Sequence, residues 1–124
     1  MNPEYTQRLN KIEVELEHWL PAGLNGNEKS LAEKIFQGAG KKAGEESIRF
    51  LLEPPKELLY RGGKRWRPLL MTLICESLGG GDAALPLSPL VEFSHNASLI
   101  HDDIEDVSDE RRGKPAIQIG RAHV

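Results

Sequence analysis

The chain has 124 residues, 39% of them hydrophobic and 28% charged, with a formal net charge of −3 and one cysteine. That composition is ordinary for a single globular domain and leaves no basis for a disulfide framework or for a chain-wide nucleic-acid footprint. No apolar stretch reaches the roughly 18 residues that a membrane-spanning helix needs, and Met1-Asn2-Pro3-Glu4 is not a basic-then-apolar leader, so the cytoplasm is the expected location.

Tyr5, Leu9, Ile12, Leu16 and Trp19 recur at helical spacing and predict a helix from about residue 3 to the break at Pro21-Ala22-Gly23. Residues 21–30 read as a loop, with Asn27 or Ser30 as the cap of a short helix carrying Leu31, Ile35 and Phe36. Helical spacing resumes at Glu45 with Ile48, Leu51 and Leu52. Pro54 and Pro55 are expected to close that piece and start another, which runs to Gly62-Gly63. A further helix is expected over 68–78, ending at Gly79-Gly80-Gly81, with Cys75 a small buried side chain inside it. The run 87–107 has no glycine and reads as one long helix, apolar around much of its circumference and therefore central and well buried. No strand alternation, repeat or low-complexity tract occurs, so the class is all-α. The number of apolar faces exceeds what so short a chain can cover for itself.

Charge is segregated by sign. Arg61, Lys64, Arg65 and Arg67 form a basic cluster, Asp102 to Glu110 an acidic one, and Arg111, Arg112 and Lys114 follow directly. Carboxylates beside guanidinium groups suit an anionic ligand that arrives with a divalent cation. At 100° per residue, Asp102 and Asp106 share a helix face one turn apart and can aim oxygen ligands at one Mg²⁺ cluster. Carboxylates at a helix C-terminus oppose the macrodipole, a cost that a bound cation removes. By itself such a run is more often a solvated helix end. His95, seven residues before Asp102, lies on the same face and can donate to a phosphate oxygen, whereas His101 points elsewhere and reads as a core residue. His18 reads as surface, and Asn96-Ala97-Ser98 as a chance glycosylation sequon. Arg111-Arg112-Gly113-Lys114-Pro115 offers bidentate diphosphate donors on a turn. Gly62-Gly63-Lys64-Arg65-Trp66-Arg67-Pro68 offers glycines for close approach beside a helix start. The latter is not a nucleotide P-loop, since Arg65 replaces the Ser or Thr that follows the lysine.

Those three segments, with Glu92 to Asp106 between the two basic ones, together resemble the trans-isoprenyl diphosphate synthases (polyprenyl synthetases), closest to the geranylgeranyl diphosphate synthase-like members. The resemblance runs from about Leu51 to Pro115 and implies that residues 1–118 are the N-terminal portion of an isoprenoid synthase helical bundle. It implies that Lys64, Arg67 and His95, with Arg112, hold the diphosphate of isopentenyl diphosphate. Asp102 and Asp106, with Asp103 a further candidate, are implied to ligate Mg²⁺ bridging to the allylic diphosphate, whose leaving group Arg111 also binds. The implied reaction is a head-to-tail condensation started by ionisation of the allylic substrate, in a homodimer. Ala97 and Ser98, small and just upstream of the aspartates, imply a product of C20 or longer. The resemblance also implies a second aspartate-rich motif, absent from this sequence, so these residues are expected to be inactive alone. Competing readings are a terpene cyclase or head-to-head condensing enzyme of the same superfamily, a non-catalytic regulatory subunit, and a weaker RNA-binding alternative built on Trp66 between Arg65 and Arg67. A cyclase has no isopentenyl diphosphate for Lys64, Arg67 and His95 to bind, and a regulatory subunit has no need of the aspartates.

Residues 119–124 match the in-frame translation of ATC GGA AGA GCA CAC GTC, part of a common sequencing-library adapter, and are expected to be a non-native tail.

Overall fold

A computed structural model describes residues 2–23, 26–38 and 44–119 of the chain. They form five α-helices: α1 (Pro3–Trp19), α2 (Glu28–Phe36), α3 (Glu45–Tyr60), α4 (Trp66–Ser77) and α5 (Ser88–Glu105). A 3₁₀ turn (Leu85–Leu87) precedes α5, and a two-residue hairpin, β1 (Glu110–Arg111) and β2 (Lys114–Pro115), follows it. The all-α class therefore holds, with this hairpin as its one addition among the described residues. Most of the adapter-like tail, residues 120–124, lies outside them.

Helix α1 starts where Asn2 caps it, its side chain accepting from the Glu4 N–H at 2.9 Å, with Pro3 in the first turn where no amide partner is needed. Asn27 rather than Ser30 occupies the cap position of α2. Buried Ile12, Leu16 and Leu20, then Leu31 and Ala32, then Ile48, Leu52 and Leu59 form one core shared by α1, α2 and α3, against which Leu69, Leu85 and Phe93 pack.

Two expectations are corrected. Pro54 and Pro55 do not end a helix but sit inside α3. The carbonyls deprived of their helical partners belong to Phe50 and Leu51, both exposed, so water can take those bonds. Core contacts from Ile48 and Leu52 on one side of the prolines and from Leu58 and Leu59 on the other hold the helix through them. The second correction concerns α5. It is central, packing against α1, α3 and α4, but its apolar circumference is not what becomes buried. The buried positions are Ser88, Pro89, Glu92, Asn96 and Asp103, while Leu87, Leu90, Ala97 and Ile104 are exposed. The three helices cover only one side of α5, and that side carries the hydrogen-bonding groups for buried Arg65 and half-buried Arg111 and Arg112. His101, expected in the core, is exposed, and Cys75 is half-buried, its Sγ lodged where a Cβ on Gly80 would stand. Among the described residues no helix is long and apolar enough to cross a membrane.

The end of α5 sets the geometry of the acidic segment. Ser108 N–H bonds to the Asp103 carbonyl at 2.9 Å and Val107 N–H to that of Ile104 at 3.4 Å, the two closing bonds of a Schellman cap. Val107 takes the left-handed position, φ 53°, that glycine usually fills. The side chain of Gln118 braces the cap from outside, donating to the carbonyls of Asp103 and Ser108 at 3.2 and 3.1 Å.

Candidate diphosphate and metal site

Residues 62–67, a loop that leaves α3 and runs into the first two residues of α4, carry the first basic motif, and the hairpin after α5 carries the second. Arg112 and Gly113 form the hairpin's two-residue turn, both with positive φ (52° and 75°), as type I′ geometry requires. This turn brings the hairpin back over α5 beside the 62–67 loop. The two basic motifs, some 45 residues apart in sequence, thus face each other across one polar cavity of about 330 Å³. Its walls include Lys64, Arg67, His95, Arg111 and Arg112, all proposed from the sequence as ligand-holding residues.

Arg67 Nη1 lies 3.1 Å from His95 Nε2. Burial, and then the charge of Arg67, push the His95 imidazole below its ordinary range, which favours the neutral ring with Nε2 accepting from Arg67. Arg112 donates to the Leu58 carbonyl at 2.8 Å and to Asn96 Oδ1 at 3.1 Å, which anchors the hairpin turn to α3 and α5. Gly63 lies between guanidinium groups: a Cβ there would stand 3.1 Å from Arg112 Nη2 and 3.3 Å from Arg65 Nη1. Lys64 is exposed at the mouth.

Asp102 and Asp106 are exposed at the tip of α5, and neither carboxylate has a hydrogen bond or ion pair among the described residues. They do not line the polar cavity, but Arg111, which does, feels the charge of both. Asp103 differs in kind. Its side chain is 2% exposed and takes Arg111 on both oxygens, 2.6 and 3.0 Å, so it serves as a partner of Arg111 and not as a free ligand. No group of three or more His, Cys, Asp and Glu side chains among the described residues is arranged to hold a metal ion. Asp102 and Asp106, two hard, unengaged carboxylates, are the residues here that could supply part of a Mg²⁺ coordination shell.

A second cavity, about 390 Å³ and almost wholly apolar, lies on the neighbouring face of α5. Phe93, Ala97 and Ile100 line it from α5, Trp19, Leu20 and Leu52 from α1 and α3, and His101 stands at its edge. Of the two residues singled out for chain length, Ala97 is on this wall. Ser98 is exposed and turns its hydroxyl back to the His95 carbonyl at 2.6 Å.

The sequence reading missed Arg65 and Glu92, buried on the wall of the polar cavity, and Asn96, buried behind it where it accepts from Arg112. Their signal was available only as polar residues embedded in motifs otherwise read for ligands.

The sequence profile of the family described as Polyprenyl synthetase matches residues 48–120, more than half of the chain. The chain belongs to the polyprenyl synthetase family. Within the match lie both basic motifs, His95, the aspartates and every residue of the polar cavity. This polyprenyl synthetase chain is 48% identical over 71 residues to a short chain isoprenyl diphosphate synthase of Methanocaldococcus jannaschii, covering 56% of this chain and 21% of the relative. It is 43% identical over 70 residues to a geranylgeranyl diphosphate synthase of Methanosarcina mazei, covering 56% and 22%. It is 48% identical over 54 residues to an octaprenyl diphosphate synthase of Escherichia coli, covering 43% and 17%. The matches span about a fifth of the length of these curated relatives. Relatives named for products of different lengths match about equally well, so overall identity does not select a product. No solved structure matches.

Proposed function

We propose that this polyprenyl synthetase chain is the N-terminal portion of a head-to-tail prenyltransferase that condenses isopentenyl diphosphate with an allylic diphosphate. The observation carrying this reading is that adjacent faces of α5 serve two cavities of opposite character. Glu92, His95 and Leu99 face the polar one; Phe93, Ala97 and Ile100 face the apolar one. A substrate with a diphosphate head and a hydrocarbon tail matches that division.

In this reading Lys64, Arg67, His95 and Arg112 hold the isopentenyl diphosphate head, and Arg111, fixed by Asp103, takes the departing diphosphate of the allylic substrate. Neutral His95 offers its Nδ1–H to a phosphate oxygen while Nε2 accepts from Arg67. Mg²⁺ held by Asp102 and Asp106 would supply charge neutralisation at the allylic diphosphate and so ease cleavage of its C–O bond. The apolar cavity excludes water from the ionised allylic centre and takes the tail. Support for a product of C20 or longer is the small Ala97 on that cavity's wall. Support for a homodimer is the exposed apolar side chains that α4 leaves uncovered, Leu70, Leu73 and Ile74. With one aspartate-rich helix in hand, residues 1–118 are proposed not to turn over alone.

The test is to extend the reading frame at its source locus and assay the complete enzyme for incorporation of isopentenyl diphosphate into prenyl product. Incorporation should require Mg²⁺ and fall at least about 100-fold in Asp102→Ala with folding unchanged, as expected for loss of transition-state charge stabilisation. Absence of incorporation with every allylic primer offered would refute the reading.

A further inference from the structure

Arg65 sits between Lys64 and Arg67 in the basic loop, yet its side chain is buried, 4% exposed. Its backbone is left-handed, φ 52°, a conformation that residues other than glycine rarely adopt. Its guanidinium is what holds it there. Nε donates to Glu13 Oε1 at 2.7 Å, Nη1 to Glu92 Oε1 at 3.1 Å and Nη2 to the Leu59 carbonyl at 2.7 Å. These acceptors belong to α1, α5 and α3, so one side chain ties three helices to the loop. Each of its nitrogens is already on a protein acceptor, and two carboxylates balance its charge.

We infer that Arg65 is a positioning residue for the diphosphate loop, and that Glu13 of α1, outside the stretch matched to the family, is one of its anchors. The inference rests on the reading of this loop as a diphosphate holder. The turn at residue 65 sets the directions in which Lys64 and Arg67 leave the backbone, and Arg67 thereby reaches His95. Arg65 also fills the space beside Gly63, across from Arg112.

The two carboxylates differ in a way that makes a decisive experiment possible. Glu92 is 3% exposed, so changing it leaves a buried cation short of a partner, whereas Glu13 is 45% exposed and can be altered without opening a hole. Removing a negative charge beside an anion site strengthens anion binding on Coulomb grounds alone. Loss of a positioning contact weakens it. The two effects have opposite signs.

In the complete enzyme, Glu13→Gln is expected to raise KM for isopentenyl diphosphate roughly three- to tenfold while kcat and the KM of the allylic substrate stay within about twofold, because misplacement is confined to one ligand-holding loop. Arg65→Lys, which keeps the charge, should raise the same KM at least as much, since an ammonium cannot span three acceptors in the guanidinium geometry. Circular dichroism melts accompany both variants, and Glu13→Gln carries the result if Arg65→Lys does not fold. An unchanged or lowered KM in Glu13→Gln, in an enzyme whose parent is active, overturns the inference and leaves the diphosphate reading standing. A parent enzyme indifferent to isopentenyl diphosphate overturns both.

Discussion

Arg111 closes on Asp103 through two parallel hydrogen bonds, Nη2 to Oδ1 at 2.6 Å and Nε to Oδ2 at 3.0 Å. The middle of the aspartate-rich segment is thus occupied by the protein itself, while Asp102 and Asp106 on either side remain unengaged. The pair also fixes β1 to α5, which places Arg111 on the wall of the polar cavity.

Hydrogen bonding from Arg111 holds the Asp103 carboxyl below its ordinary range, against the opposing effect of burial. The folded state therefore binds that proton less readily than the unfolded chain. The resulting stability is present above the unfolded value near 4 and is lost as pH falls through the lower, folded value. Asp103→Asn is expected to cost about 1.5–3 kcal/mol at pH 7, in line with hydrogen bonds to charged groups. Urea denaturation at pH 7 and at about pH 3 checks this: the gap between parent and variant should narrow at the lower pH, and an equal gap at both would contradict the assignment.

The two glycines of the 62–67 loop should respond differently to alanine. Both have positive φ, 98° at Gly62 and 141° at Gly63, so each substitution carries a backbone cost of about 1–3 kcal/mol. A Cβ at Gly62 meets open space, whereas at Gly63 it must displace the guanidinium groups of Arg112 and Arg65. Diphosphate affinity, measured by titration calorimetry with inorganic pyrophosphate on the complete enzyme, should drop in Gly63→Ala and stay near the parent value in Gly62→Ala.

Val107 is β-branched, 82% exposed and left-handed in the Schellman cap of α5. Val107→Gly removes the steric cost without removing a contact of note and is expected to stabilise the fold by about 1 kcal/mol. A thermal melt that shifts downward would show that the valine side chain has a packing role.

Ala97 lines the apolar cavity with no side chain beyond Cβ to limit its depth. In the complete enzyme Ala97→Phe is expected to shorten the main product, read by chromatography of the dephosphorylated prenols. An unchanged product would remove Ala97 from the determinants of length. Ser98→Phe provides the contrast, because Ser98 is not on that cavity's wall.

Much of the candidate site was legible because its parts are local. Lys64 and Arg67 are three residues apart where the loop enters α4, Asp102 and Asp106 share one helix face, and Arg111 and Arg112 belong to one hairpin. Helix ends were legible where the chain carries its own signal, as at Pro21 to Gly23 after α1 and Gly79 to Gly81 after α4. The prolines of α3 misled because their local penalty is real, and packing around Ile48, Leu52 and Leu59 outweighs it. The burial of α5 misled for a related reason: periodicity reveals that a helix has an apolar face, but not which face its neighbours reach.

From the residues in order came the all-α class, the two positively charged segments and the acidic helix tip, since side-chain spacing at 3.6 residues per turn and motif order are properties of neighbours along the chain. Docking decided the rest. That Arg65 turns inward to Glu13 and Glu92 while Lys64 stays in solvent, and that Asp103 pairs with Arg111 while Asp102 does not, depends on partners as many as 52 residues away. A buried charge takes whichever opposite charge the packed helices bring within reach, and that choice exists only once the helices have met.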